Sequence, residues 1–187
     1  MTRELRQLLN QAPEEAAPQL LGSMLVSEVD GGRVVLALCE VEAYKGSEDS
    51  ASHAYRGRTE RNRAMFDQPG TLYVYRSYGV HWCANTAAGP LGVGWGILMR
   101  GGELIEGQSI AMERRGRDDE LVNGPGKLTQ ALGITGEHNG IDLLDRDSPI
   151  RLERGRRPRL VMATPRVGIS KAVELPWRFV AAVSAGG

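Results

Sequence analysis

Cysteine, lysine and aromatic residues are all scarce in this chain of 187 residues. Its two cysteines, Cys39 and Cys83, lie far apart in apolar runs, which argues against a disulfide framework or a cysteine-built metal site and predicts buried free thiols. No run approaches the roughly 20 apolar residues of a membrane span, and the polar start from Met1 to Pro13 lacks the apolar segment of a signal peptide. The expected setting is therefore the cytoplasm. No internal repeat is visible. Net charge is missing too, since 23 Lys+Arg balance 23 Asp+Glu, so the total announces neither a nucleic-acid nor a membrane partner.

What is present is unevenly placed. Residues 1 to 50 carry 4 basic and 9 acidic groups and residues 101 to 150 carry 5 and 10, whereas 51 to 100 carry 6 and 2 and 151 to 187 carry 8 and 2. Two stretches are thus basic. Apart from Lys45, Lys127 and Lys171 every basic residue is arginine, whose planar fork suits phosphate oxygens; codon bias of a GC-rich genome explains that excess equally well. The length, with 41% hydrophobic residues, fits one domain over 1–187. The 24 glycines and 9 prolines favour many short elements over a helical bundle.

Leu5 to Leu9 and Ala16 to Leu21 read as short helices, an N-terminal cap over 1–20. Arg33 to Tyr44 reads as a strand after the Asp30-Gly31-Gly32 turn signal. Strict alternation puts Val35, Ala37, Cys39, Val41 and Ala43 on an apolar face and Glu40, Glu42 and Tyr44 on the other. Lys45 to Met65 is a long ordered loop with a short helix near Asn62 to Phe66, and loops of that length are usually functional. Thr71 to Ser77 and Val80 to Thr86 form a predicted hairpin about Tyr78-Gly79. Further strands are expected at Trp95 to Met99, Ile150 to Glu153, Leu160 to Ala163 and Trp177 to Val183, helices at Leu104 to Arg115 and Lys127 to Leu132, and a tail over 180–187. The fold class is mixed α/β (α+β), a single domain around a curved antiparallel sheet with short helices about it.

Several residues invite chemistry on their own. Glu42 ends a strand face, where a carboxylate can deprotonate a water and stabilise an oxocarbenium-like sugar, or be a plain surface charge. Glu40, about 6.5 Å away on the same face, raises a paired-carboxylate alternative of the sugar-glycosidase kind. Tyr78, at a hairpin tip, cannot be buried by its own sheet and is either spare surface or a wedge for a duplex. Glu42 and His53 find no third ligand at a telling spacing, so a metal site is weakly supported.

The order and spacing of Glu40-Val41-Glu42-Ala43-Tyr44, His53, Arg56-Gly57-Arg58, Arg61-Asn62-Arg63, Gly70-Thr71-Leu72-Tyr73-Val74-Tyr75, Tyr78-Gly79, Gly124-Pro125-Gly126-Lys127-Leu128, Arg166-Val167-Gly168 and Trp177-Arg178-Phe179 carry a specific likeness. From Leu20 to Val180 the chain resembles the alkyladenine (3-methyladenine) DNA glycosylases of the mixed α/β class. That resemblance implies Glu42 as general base, with the Arg100 side chain and the Val167 carbonyl completing its water site. It implies that Tyr44, His53 and Tyr75 hold a flipped purine, that Asn85 rejects the 2-amino group of guanine, and that Tyr78 enters the gap left in the stack. The implied function is base excision repair by a monofunctional glycosylase. It would take 3-methyladenine, 7-methylguanine, hypoxanthine or ethenoadenine from double-stranded DNA and leave an abasic site, as a cofactor-free, metal-free monomer on the bacterial nucleoid.

Arg56, Arg58, Arg61, Arg63, Arg76, Arg114 and Lys127 are the candidate phosphate contacts, and the acidic run Asp118-Asp119-Glu120 should face away from DNA. A lyase step through a lysine Schiff base is disfavoured, because Lys45 has the wrong strand parity and Lys127 and Lys171 lie in distant segments. The hairpin poses a difficulty: a two-residue turn pairs Ser77 with Val80 and Asn85 with Leu72, placing Asn85 on the face away from Tyr75. Only a bulge or twist would bring them together. The Gly-rich stretch 89–96, Gly101-Gly102-Glu103-Leu104 and Glu60 depart from the family pattern. Two other classes stay open, a catalytically silent DNA-damage binding module and a carbohydrate hydrolase using Glu40 and Glu42.

Overall fold

In a computed structural model, which describes residues 2–182, two short helices lead into an antiparallel sheet. The helices are α1 (Thr2–Leu9) and α2 (Pro13–Leu20). Pro13 opens α2 where a missing N–H costs nothing, Glu14 and Glu15 suit the positive end of its dipole, and Ala16, Ala17 and Leu20 are buried. The strands are β1 (Met24–Val29), β2 (Gly32–Tyr44), β3 (Leu72–Ser77), β4 (His81–Ala88), β5 (Trp95–Glu106), β6 (Ile150–Glu153), β7 (Val161–Thr164) and β8 (Arg178–Ala181). Between β5 and β6 come α3 (Gln108–Arg115) and α4 (Pro125–Leu132).

The sheet runs β3-β4-β5-β2-β1-β6, with β8 beside β2 and β7 outside β8. One edge of β2 is taken by β5. The other is divided, β1 pairing with residues 32–37 and β8 with Glu40, Val41 and Glu42. A strand shared in this way gives the sheet the curvature expected from the sequence, here that of a half-barrel. Leu36, Leu38, Val41, Ala43, Leu72, Val74, Ile97 and Met99 join Leu20, Leu128 and Leu132 in one core. No helix of the described residues is long and apolar enough to cross a membrane.

Some expected elements are corrected. β1 has no counterpart among the expected strands, because Met24-Leu25-Val26-Ser27-Glu28-Val29 does not alternate: Leu25, Val26 and Ser27 are buried in succession, the Ser27 hydroxyl donating to the Leu132 carbonyl. β5 does not stop at Met99 but continues through Gly101-Gly102 to Glu106, so the helix begins at Gln108 rather than Leu104. The apolar face of β2 is not continuous either. Leu36 and Leu38 face the core, then Val41 and Ala43 do, the parity changing at a register shift beside Cys39. Cys39 is accordingly half-buried and free, and Cys83 buried and free. Val180 and Ala181 belong to β8 rather than to a tail, and the rest of that tail beyond 182, with Val183, lies outside the described residues.

Candidate active site

The sheet's register lines up residues that are remote in sequence. Tyr73 pairs with Asn85, Asn85 with Leu98, and Leu98 with Glu42, one row crossing β3, β4, β5 and β2. The row exists because the β3–β4 hairpin holds one residue more than expected. Ser77 pairs with His81, leaving Val80 unpaired beyond a turn closed by its own amide on the Ser77 carbonyl (3.0 Å). This bulge puts Asn85 opposite Tyr73 instead of Leu72, on the face that Tyr75 shares, and so resolves the difficulty in the sequence. At the turn Tyr78 and Gly79 have φ of 49° and 71°, the left-handed conformation a tight hairpin turn demands. Tyr78 is 95% exposed.

Arg100 also owes its place to an irregularity. Gly101 pairs with Glu40 and Met99 with Val41, so Arg100 is an extra residue of β5. Its Nε donates to Glu40 Oε1 at 2.7 Å, and its Nη1 lies 3.4 Å from Glu42 Oε1. Burial opposes the Arg100 charge, but Glu42 and Glu40 outweigh it and raise the pKa. Arg178 Nε donates to the same Glu40 oxygen at 2.6 Å. Burial works to raise the Glu40 pKa, yet hydrogen bonds from Arg178 and Arg100 prevail and hold it below the usual carboxylate range. A glycosidase acid needs the opposite shift, so Glu40, tied to two arginines, is unsuited to the acid role of a sugar-hydrolase dyad.

Glu42 is held differently. Oε1 accepts the Val167 amide and Oε2 the Tyr44 hydroxyl, both at 2.8 Å. The side chain is 0% exposed. Burial and the Glu42 charge raise the Tyr44 pKa, so the phenol keeps the proton it donates. Tyr44, Arg100 and Val167, whose polar groups reach the Glu42 carboxylate, also line a cleft of about 630 Å³. His53, Tyr73, Tyr75 and Asn85 line the same cleft.

The aromatic residues form a packed set. Tyr73 stacks on Tyr75 with centroids 5.6 Å apart, and His53 meets Tyr75 edge-on at 4.4 Å. His53 Nδ1 lies 3.1 Å from the Tyr73 hydroxyl. Desolvation and the nearby Arg61 charge lower the His53 pKa, while burial pushes Tyr73 up to about 12. A neutral ring beside a protonated phenol lets Tyr73 donate to Nδ1, which leaves the imidazole hydrogen on Nε2. Sequence reasoning passes over Tyr73, although it shares strand parity with Tyr75.

The basic residues divide. Arg56, Arg58, Arg61, Arg63 and Arg76 are exposed, and the loop bearing the first three is fastened by buried Asn62, whose Nδ2 donates to the carbonyls of His53 and Gly57 at 3.0 Å. Arg61 and Arg76 line the cleft with Tyr78. Arg114 is not brought to this group. Its terminal nitrogens donate to the carbonyls of Val29 (2.6 Å) and Ala131 (3.3 Å), so it serves the fold. Lys127 is bound to Glu120 and Asn123 at 2.8 and 2.9 Å, which ties it to the acidic run. Lys171, although distant in sequence, lines the cleft, so distance does not argue against a lysine there. Among the described residues no group of three metal-ligating side chains comes together.

The chain has clear relatives among known proteins. Residues 7–185 match the family model described as Methylpurine-DNA glycosylase (MPG). A Rhodococcus jostii (strain RHA1) protein named "Putative 3-methyladenine DNA glycosylase" is 47% identical over 175 residues, 89% of this chain and 76% of its own. Proteins of the same name from Rhodopseudomonas palustris (strain BisB18) and Mycobacterium bovis (strain BCG / Pasteur 1173P2) are each 46% identical, over 93% and 89% of this chain and 84% and 83% of theirs. The similarity spans the sheet and the cleft alike, and the chain belongs to the methylpurine-DNA glycosylase family, the alkyladenine DNA glycosylases of mixed α/β fold.

Proposed function

We propose that this protein, as a monomer, flips a damaged purine out of double-stranded DNA and hydrolyses its bond to the sugar with a water activated by Glu42. The observation that carries the reading is the clamp on Glu42, a carboxylate fixed by the Tyr44 hydroxyl and the Val167 amide against the wall of an aromatic cleft. Water oxygen bonds to C1′ as the C1′–N9 bond breaks, its proton passes to Glu42, and the bonding pair leaves with the base. An alkylated purine leaves readily because it is cationic. The products are free base and an abasic site.

Each remaining residue has a part in this reading. Tyr44, His53 and Tyr75 hold the extruded ring, Asn85 meets its edge, and Tyr78 fills the space it vacated. Because Glu42 has no exposed surface, its water enters from the cleft that Tyr44, Arg100 and Val167 line. Arg56, Arg58, Arg61, Arg63 and Arg76 grip phosphates and fix the register without reading sequence. Lys171 lines the cleft, but this hydrolysis uses no lysine, and borohydride should trap no covalent complex.

The buried state of Glu42 equally suits a catalytically silent damage-binding module, and one experiment separates the two. Single-turnover base release is measured on duplexes holding hypoxanthine and on methylated DNA, with wild type and Glu42→Gln. The wild type is expected to leave abasic sites on at least one of them and the variant to lose about 100- to 10,000-fold in rate while still binding. Binding without release from either duplex would establish the silent module.

A further inference from the structure

Beneath the cleft lies a buried ion pair that the chemistry above does not use. Arg166 and Asp49 have fully buried side chains and meet through two hydrogen bonds, Nη1 on Oδ2 at 2.5 Å and Nη2 on Oδ1 at 2.9 Å. Asp49 also accepts the amides of Lys45 and Ala51, at 3.3 and 3.0 Å, which fastens the turn that follows β2. Arg166 Nη1 donates again to the Ala43 carbonyl at 2.9 Å, between Glu42 and Tyr44 in sequence. The guanidinium carbon lies 4.7 Å from the Tyr44 ring centre and 5.3 Å from that of Trp177.

Stability is a poor reason for such a pair. Desolvating two charges cancels much of their attraction, and apolar residues of similar volume generally hold a core as well or better. Here Arg166 Nε is in addition buried with no hydrogen-bond partner. The neighbours suggest a geometric reason. Val167, the next residue, donates to Glu42 Oε1, and Tyr44, packed on the guanidinium, donates to Oε2. Both hydrogen bonds at 2.8 Å that orient Glu42 therefore rest on Arg166.

We propose that Arg166 and Asp49 are positioning residues for Glu42. The pair locks three segments together, the end of β2, the turn at Asp49 and the loop at Val167, and so sets the direction of a carboxylate it never touches. The inference rests on the glycosylase reading of the site. A misplacement near 1 Å is enough to cost a reaction about 100-fold, and loosening the lock should act on the chemical step more than on recognition of the lesion.

The test compares Asp49→Asn and Arg166→Lys with wild type on the same lesion duplexes, measuring single-turnover base release, lesion affinity and thermal unfolding. Base release is expected to fall about 100-fold with lesion affinity close to that of wild type. Combined with Tyr44→Phe, Asp49→Asn should lose less than the product of the two single effects, since both act on one carboxylate. A purely structural role would instead lower rate, affinity and folded fraction together and multiply with Tyr44→Phe. Arg166→Lys gives up the fork and is the variant more at risk of unfolding, so Asp49→Asn, which keeps the side-chain shape, carries the test below its own transition temperature. Folded variants with wild-type rates would overturn the inference and leave the glycosylase reading standing. A wild type that releases no base from any of these duplexes would overturn both.

Discussion

Glu40 and Glu42 are two residues apart on one strand, and their neighbours give them opposite uses. Glu40 sits between the Nε atoms of Arg100 and Arg178, an arrangement suited to holding β5, β2 and β8 together. Glu40→Gln is expected to lower stability by about 2 kcal/mol near neutral pH, the worth of hydrogen bonds to a charged group, as read by urea unfolding. Its carboxyl titrates lower in the folded chain than the ordinary 4.5, so the folded state binds fewer protons. This contribution is complete above about pH 4.5 and fades as pH falls through and below that value. The variant should therefore lose less stability on acidification than wild type. Tyr78 carries a second prediction. It holds a left-handed φ that costs a side chain about 1 kcal/mol and is almost wholly exposed. Tyr78→Gly should keep thermal stability within about 1 kcal/mol of wild type while weakening lesion-duplex binding; a large drop in stability would mean that Tyr78 serves the fold. The conspicuous residues, Glu42, Tyr44, His53 and Tyr78, are legible in the sequence because motif and position mark them. Asp49, Arg166 and Tyr73 are not, because what distinguishes them is burial and partnership across the fold.

At the scale of elements, departures from regular pairing place the site. Val80 in the hairpin, Arg100 in β5 and Cys39 in β2 are extra residues, and each changes the facing of the strand beyond it. Alternation read along one strand cannot see these shifts, which is why it predicts an unbroken apolar face for β2 and a misaligned Asn85 in β4. The long loop and most elements are legible, since glycine, proline and arginine-rich polar stretches mark their limits in the chain itself. Gly101-Gly102, an oddity in the sequence, has a use in the structure. A Cβ on Gly102 would lie 2.6 Å from the Ala37 carbonyl oxygen and collide with Leu36 as well. Gly102→Ala should lower stability by about 1–3 kcal/mol, the usual cost of overpacking, seen as a reduced urea midpoint with unchanged slope.

Across the whole molecule, charges that cancel in the total are gathered by the fold. Arg61 and Arg76 border the cleft, while Arg114 is committed to backbone carbonyls. Arg61→Gln should weaken binding to any duplex and reduce the slope of log affinity against log salt by about 0.9, the share of one phosphate contact. Arg114→Gln should lower the unfolding midpoint and leave the salt slope as it was. Fluorescence titration over a range of salt concentrations reads both, and an unchanged slope in Arg61→Gln would remove it from the DNA footprint. Composition hides this division, because arginines bound for carbonyls and arginines bound for phosphates look alike in a sequence.

The division of one edge of β2 between β1 and β8 has a consequence for how the protein comes into being. Val167 is made 125 residues after Glu42, and Arg178, the β8 partner of Glu42, is made later still. If Glu42 is the base of the proposed reaction, a nascent chain therefore carries it long before it has the means to aim it. On the proposed reading, a chain cut before Val167 should release no bases from DNA.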